Sequence, residues 1–274
     1  AMLGTDAFQE VDVVGITQPI TKWNYQIRRA EDIAWAVSRA FYIASSGRPG
    51  PVVLDFTKNA QTAMIDYEPK NIDFIRSYNP VPTPAEGSVE KAARMINDSV
   101  KPFMLVGQGV ELADARDELL ALCEKAQIPF GTTFLGLSAA PSDHPLNMGK
   151  LGMHGNLAPN VMTNQCDLLI AVGMRFDDRV TGNLKNYAKQ ARIIHFDIDP
   201  SEIDKNVKVN LAVLGDCKHT LAEVTKLVDA ATHNSWIEGF KPYDEKEYNK
   251  VIKPAVYPDG GPLLMGEVVK REIG

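Results

Sequence analysis

The 274-residue sequence has no apolar run approaching the ~18 residues a membrane-spanning helix needs, which argues against a helical membrane protein. It has no lysine- and arginine-rich cluster either, and its formal net charge is −6. Nucleic acid and anionic membrane surfaces are therefore poor partners for it. Cysteine is scarce: Cys123, Cys166 and Cys217 are odd in number and form no Cys-x-x-Cys pair. That excludes a disulfide framework and a structural zinc site, and it fits a reducing, cytoplasmic compartment with buried free thiols. The five histidines lack metal-ligand spacing, and no Ser/His/Asp, Cys/His or paired-carboxylate arrangement emerges. Internal repeats and low-complexity tracts are missing as well. The opening residues, Ala1 to Glu10, carry no basic n-region and no apolar h-region, so they are not a signal peptide. They read as an interior stretch, and the chain reads as a piece of a longer protein.

Hydrophobic residues make up 45% and charged residues 23%, enough apolar material for a sizeable globular core. Residues 1–30 read mostly as loop and short elements. Glu31 and Asp32 open a helix whose apolar positions recur through Ile43 at roughly helical spacing. Gly47 closes it, Arg48-Pro49-Gly50-Pro51 turns, and Val52–Phe56 reads as a buried strand. This looks like the last αβ unit of one domain. The pattern then dissolves through residues 58–87, where Asn79-Pro80-Val81-Pro82-Thr83-Pro84 reads as an extended linker.

A regular alternation follows. Ser88 caps a helix to about Asp98, and Pro102–Val106 is a strand. Gly107-Gln108-Gly109 turns into one helix over about 111–126, and Ile128–Thr133 is the next strand. A glycine- and proline-rich loop spans 136–155, and a helix covers 158–165. Strands follow at 168–172, 193–197 and 211–214, then a helix from Cys217 to about Ala230. Strands alternating with helices specify an α/β fold, a doubly wound parallel sheet, over residues 88–234. Residues 235–274 do not form a domain of their own, and a final helix begins near Pro262.

Chemistry concentrates at strand ends. The apolar run Leu168–Val172 stops at Gly173, and Arg175, Asp177, Asp178 and Arg179 then fall within five positions. Carboxyl ends of central strands are where open α/β sheets bind ligands, although arginine–aspartate pairs also form simply in water. Gly107-Gln108-Gly109 lies between a strand and a helix, the context of a phosphate-cradling turn, but Leu112 breaks the dinucleotide fingerprint; a tight turn is the alternative. Asp197 and Asp199 end one strand and Asp216 another, suited either to ribose hydroxyls or, for Asp199 and Asp216, to capping the next helix. Met153-His154-Gly155 sits in a glycine-rich loop that lets backbone approach a flat ligand. From below, this is a mono- or dinucleotide-binding α/β domain with no named reaction.

The strings themselves say more. Gly4–Glu10, Thr21-Lys22-Trp23-Asn24, Ser46–Val52, Leu151–Gly155 and Arg175-Phe176-Asp177-Asp178-Arg179-Val180-Thr181-Gly182-Asn183 closely resemble the large catalytic subunit of acetohydroxyacid (acetolactate) synthases, thiamine-diphosphate enzymes. The resemblance runs to about Asp216 and is loose thereafter. It implies that residues 1–57 are the C-terminal part of a pyrimidine-binding domain and 58–87 a linker. Residues 88–234 would be a central Rossmann-like domain binding FAD, and 235–274 a connector toward a pyrophosphate-binding domain. No Gly-Asp-Gly with following paired asparagines occurs here, so the main ligands of thiamine diphosphate and Mg2+ would lie outside this chain, which alone should not turn over.

Residue by residue, the resemblance implies FAD contacts from Arg48, from Gly107, Gln108 and Gly109, from Thr133, Phe134 and Leu135, and from Gly152, Met153 and His154. Gly173, Met174, Arg175 and Asp177 would follow, with Asp197, Ile198, Asp216 and Cys217 at the adenosine end. Gln9 would be the active-site glutamine with Phe8 its apolar neighbour, Lys58 a channel lysine, and Asp178 and Arg179 the pair at the channel mouth, where a guanidinium can fork onto a 2-keto-acid carboxylate. Gln108 and Asn156 depart from the family pattern. The implied reaction decarboxylates pyruvate and condenses the remaining two-carbon fragment with pyruvate or 2-oxobutyrate, for branched-chain amino-acid biosynthesis. FAD would be architectural, and this chain alone would bind it weakly or not at all. A homo-oligomer and a small regulatory subunit are implied partners. The competing readings are a glyoxylate carboligase or pyruvate oxidase, against which the Arg-Phe-Asp-Asp-Arg-Val-Thr-Gly string speaks, and a non-catalytic nucleotide-binding module.

Overall fold

The computed structural model describes residues 4–8 and 10–273. The chain separates into two compact units, Ala1–Pro82 and Thr83–Gly274. No helix among the described residues is long and apolar enough to cross a membrane.

In the first unit, α1 (Val13–Thr17) precedes β1 (Trp23–Ile27), α2 (Ile33–Ser45), β2 (Val52–Phe56) and α3 (Lys58–Thr62). β1 and β2 pair in parallel from Trp23↔Val52 to Ile27↔Phe56. β1 is one of the short elements within residues 1–30: Trp23, Tyr25 and Ile27 alternate with Asn24 and Gln26, a strand period. Their faces meet α2 through Trp35, which lies edge-on to both Trp23 and Tyr25. Lys22 closes the far end of α2, its Nζ donating to the Ser46 carbonyl at 2.7 Å and to Tyr78 Oη at 2.8 Å. A cation suits the carbonyl-rich helix C-terminus.

The second unit holds a six-stranded, wholly parallel sheet in the order β5-β4-β3-β6-β7-β8. Its elements are α4 (Ser88–Asn97), β3 (Pro102–Val106), α5 (Gln108–Leu112), α6 (Arg116–Ala126), β4 (Phe130–Thr132), β5 (Asn147–Lys150), α7 (Leu157–Thr163), β6 (Leu168–Val172), α8 (Asp178–Thr181), β7 (Arg192–Asp197), β8 (Leu211–Leu214), α9 (Cys217–Leu227), α10 (Asn234–Glu238), α11 (Lys241–Glu247), α12 (Lys253–Val256) and α13 (Met265–Ile273). β3 and β6 are buried at every position because both sheet faces are covered. Met104, Val106, Ile170, Val172, Ile194 and Phe196 face α4, α6 and α9, whereas Phe103, Leu105, Leu169, Ala171 and Ile193 face α7, Trp236 and Phe240. The tail thus supplies core: Trp236 Nε1 donates to the Pro102 carbonyl at 2.8 Å.

Four local expectations change. Gly87, at φ +72°, occupies the cap position of α4, and Ser88 is its first residue, buried with an unpartnered hydroxyl. The helix expected over 111–126 is two, broken where Asp114 adopts φ +50°, a conformation aspartate tolerates. The loop expected over 136–155 contains β5, an edge strand only half-buried and without the β-branched residues that signal strands. The last helix starts at Met265 rather than Pro262.

Candidate functional site

The strand order reverses between β3 and β6. Chain order runs outward from β3 through β4 to β5 on one side, and from β6 through β7 to β8 on the other. Doubly wound sheets bind ligands in the crevice at the carboxyl ends beside such a reversal. Every strand of this sheet ends in residues singled out from the sequence. Gly107, Gln108 and Gly109 follow β3, Thr133, Phe134 and Leu135 follow β4, and Gly152, Met153 and His154 follow β5. Gly173, Met174, Arg175, Asp177, Asp178 and Arg179 follow β6. Asp197 and Ile198 end β7, and Asp216 and Cys217 follow β8. Phe8, Arg48 and Lys58 belong to the first unit and are exposed, with Lys58 opening α3. Gln9 lies outside the described residues.

At the reversal the backbones touch. Gly107 N–H donates to the Val172 carbonyl and Gly109 N–H to the Gly173 carbonyl, each at 2.9 Å. The two amides are thereby committed to the neighbouring strand end, which is why side chains are excluded here.

Next to it, the loops after β5 and β6 interlock. Met153 N–H donates to the Arg179 carbonyl at 2.7 Å, and Arg179 Nη1 lies 3.6 Å from Met153 Sδ. Gly152, at φ +94°, permits this approach, since a Cβ there would lie 2.6 Å from the Arg179 oxygen. A cavity of about 340 Å3 opens beside them, lined among others by Gly152, Met153, Asp178, Arg179 and Tyr187. Asp177 caps α8, its Oδ1 accepting from the Arg179 and Val180 amides at 3.1 and 3.2 Å. Its Oδ2 accepts from Arg175 Nε at 3.2 Å. This short carboxylate-capped helix holds Asp178 and Arg179 exposed at the edge.

The acids of β7 and β8 also have local tasks. Asp197, buried, accepts from Asp199 N–H at 2.8 Å, and Asp216 caps α9 by accepting from Lys218 N–H at 2.8 Å. Asp199 caps the turn at Pro200–Glu202. Burial pushes the Cys217 thiol up to about 12, with the charge of Asp216 adding to it, and Sγ donates to the Gly109 carbonyl at 3.3 Å. Cys217 is therefore a packing and hydrogen-bonding group, not a nucleophile.

Sequence reasoning missed the groups that brace these loops. His195, fully buried on β7, sits with Nε2 2.8 Å from the Met174 carbonyl and 3.4 Å from Asp197 Oδ2. A carbonyl only accepts, so Nε2 carries the proton, and Nδ1 is buried without a partner. The signal was a histidine inside an otherwise apolar run. Asn160, on α7, clamps Gly152 from both sides: Oδ1 accepts from its N–H and Nδ2 donates to its carbonyl, each at 2.9 Å.

Residues 89–224 match the family model for the central domain of thiamine pyrophosphate enzymes. The chain is 44% identical over 288 residues to the acetolactate synthase large subunit of Corynebacterium glutamicum, covering 100% of this chain and 44% of that protein. It is 43% identical over 276 residues to a probable acetolactate synthase large subunit of Methanocaldococcus jannaschii, covering 98% of this chain and 46% of that protein. With the acetolactate synthase large subunit of Parasynechococcus marenigrum the identity is 41% over 266 residues, 93% of this chain and 43% of that protein. The chain therefore belongs to the acetolactate synthase large-subunit family, carries the central domain of the thiamine pyrophosphate enzymes, and spans about half the length of the curated relatives it matches.

Proposed function

We propose that this chain is part of the catalytic subunit of an acetolactate synthase, which decarboxylates pyruvate and joins the remainder to a second 2-keto acid. The carboxyl edge of its six-stranded sheet is the FAD seat. One observation carries the FAD assignment: this edge mixes large exposed apolar side chains with cations. Phe134, Leu135 and Met153 are 73%, 62% and 59% exposed, and the loop after β6, which carries Arg175 and Arg179, meets the Met153 loop at the same carboxyl edge. Exposed apolar groups clustered at a sheet's ligand edge mark a binding surface. A flat ring system with a charged tail matches that mixture, so the residues present fit a flavin.

Thiamine diphosphate, when bound, supplies the electron sink for decarboxylation. Among the described residues no cluster of three or more His, Cys, Asp or Glu is arranged for a metal. The work of this chain's residues is positioning. Arg179, held at the edge by α8, forks onto the carboxylate of the second keto acid. Phe134, Leu135 and Met153 would exclude water from a bound flavin, and Asp197 and Asp216 would serve its ribose hydroxyls.

The test uses the complete subunit carrying this chain, fed pyruvate and assayed for acetolactate, with FAD titrated by flavin fluorescence. Acetolactate formation is expected, with FAD affinity weakened about tenfold or more by Phe134→Asp, which places a charge against an apolar ring. No acetolactate, or FAD binding indifferent to Phe134→Asp, overturns the corresponding half of the reading.

A further inference from the structure

The tail reaches back to the loop that carries Met153 and His154. Glu247, the last residue of α11, accepts through Oε2 from the Leu157 amide at 3.0 Å and from Asn156 Nδ2 at 3.3 Å. Leu157 opens α7, whose first amides have no partner within the helix, so a carboxylate is well placed there. Asn156 holds the cap position yet does not cap with its side chain. Its Oδ1 turns instead to the Lys150 amide, at 2.8 Å, while its own N–H donates to the Lys150 carbonyl at 2.8 Å.

These bonds leave the Asn156 amide one orientation. With Oδ1 accepting from Lys150, Nδ2 faces Glu247, and the tail supplies its acceptor. The loop from Lys150 to Asn156 is thus pinned at both ends by one side chain, which the tail itself orients. Asn160 adds a third bond, donating to the Asn156 carbonyl at 3.0 Å. The tail is anchored in turn: Trp236 and Phe240 are buried, and Tyr243 Oη accepts from Gln165 Nε2 at 3.2 Å. Tyr243 and Glu247 are four residues apart on α11 and so share a face.

We propose that Glu247 is a positioning residue for the loop that presents Met153 and His154, and that the docked tail thereby sets the shape of the sheet's ligand edge. That the ligand is a flavin rests on the function proposed above. The position Asn156, a departure from the family pattern, gains a role: it transmits the tail's carboxylate to the loop backbone.

Amide hydrogen exchange on the ligand-free complete subunit tests the positioning by itself. Glu247→Ala is expected to speed exchange at Leu157 and in the 150–156 loop by about tenfold, leaving β6 and β7 unchanged. Glu247→Gln keeps the length and an acceptor oxygen, and is expected to restore most of the protection. An unchanged loop in Glu247→Ala, or an equal rise in β6 and β7, overturns the proposal. Titration of the complete subunit with FAD forms the second arm, with about tenfold weaker binding expected for Glu247→Ala and near-normal binding for Glu247→Gln. A loosened loop with unaltered FAD affinity leaves Glu247's structural bracing in place and overturns the link between this loop and the flavin.

Discussion

Gly109 and Gly173 meet backbone to backbone where the strand order reverses: a Cβ on Gly109 would lie 2.6 Å from the Gly173 Cα, and one on Gly173 would lie 2.7 Å from the Gly109 Cα. Gly173 also has φ +57°. The glycine turn after β3 therefore serves a close approach between two strand ends.

Three alanine substitutions separate packing from conformation. Gly109→Ala adds overpacking alone and should cost about 1–3 kcal/mol. Gly87→Ala, at φ +72° with nothing within 4 Å of its Cβ, should cost about 1–2 kcal/mol through backbone conformation alone. Gly173→Ala combines both and should be the most damaging of the three. Urea unfolding midpoints rank them, and a Gly173→Ala variant as stable as Gly87→Ala would contradict the contact.

His195 links the β6 and β7 strand ends through the Met174 carbonyl. His195→Leu strands that carbonyl in the core and should cost about 1–3 kcal/mol. His195→Gln can return an N–H near the position of Nε2 and should recover part of the loss. Equal losses in both variants, read from denaturant curves, would mean that ring packing against Phe176 matters rather than the hydrogen bond.

The thiols should be silent in the native protein. Burial pushes Cys166 and Cys217 up to about 12, and Cys123 is raised further by complete burial. At pH 8 Cys166 and Cys217 therefore stay protonated. A chromogenic disulfide reagent should react with all three cysteines only after unfolding, and rapid native labelling would show the described packing to be wrong.

Partial burial holds His233 below the ordinary histidine value of 6.5, against the smaller upward pulls of the Val100 backbone and the Asp167 charge. The unfolded chain then binds the proton more readily than the folded one. The stability contribution is whole above 6.5 and is lost as pH falls through 6.5 toward the lower folded value. The unfolding midpoint should decline between pH 7.5 and 5.5, with a shallower slope in His233→Asn. Identical slopes would show that the site does not matter.

Legibility followed burial. β3, β6 and β7 lie inside the sheet, so Phe103–Val106 and Leu168–Val172 are continuous apolar runs and Ile193–Phe196 is one interrupted only by His195, and they stand out in the sequence. β5 is half-buried at the edge and made of Asn-Met-Gly-Lys, so it looked like loop. The break between α5 and α6 is not legible in the sequence, because Leu112 to Ala115 keeps helix-compatible residues. What breaks it is Asp114 in a left-handed conformation, with Lys218 of α9 bonded to its carboxylate at 2.8 Å. Candidate residues at strand ends were legible in the same way: an apolar run that stops at glycine and charge announces where a strand leaves the core.

The amino-acid order by itself determined the alternation of strands and helices, the family strings and the residues gathered at strand ends, because each of these is local in the chain. Only the tertiary structure decided that Glu247 orients Asn156, that His195 holds Met174, and that Gly109 rests on Gly173. Those pairs are brought together by the order of strands in the sheet and by helices packed across it, and no periodicity or motif encodes a hydrogen bond between residues so far apart along the chain.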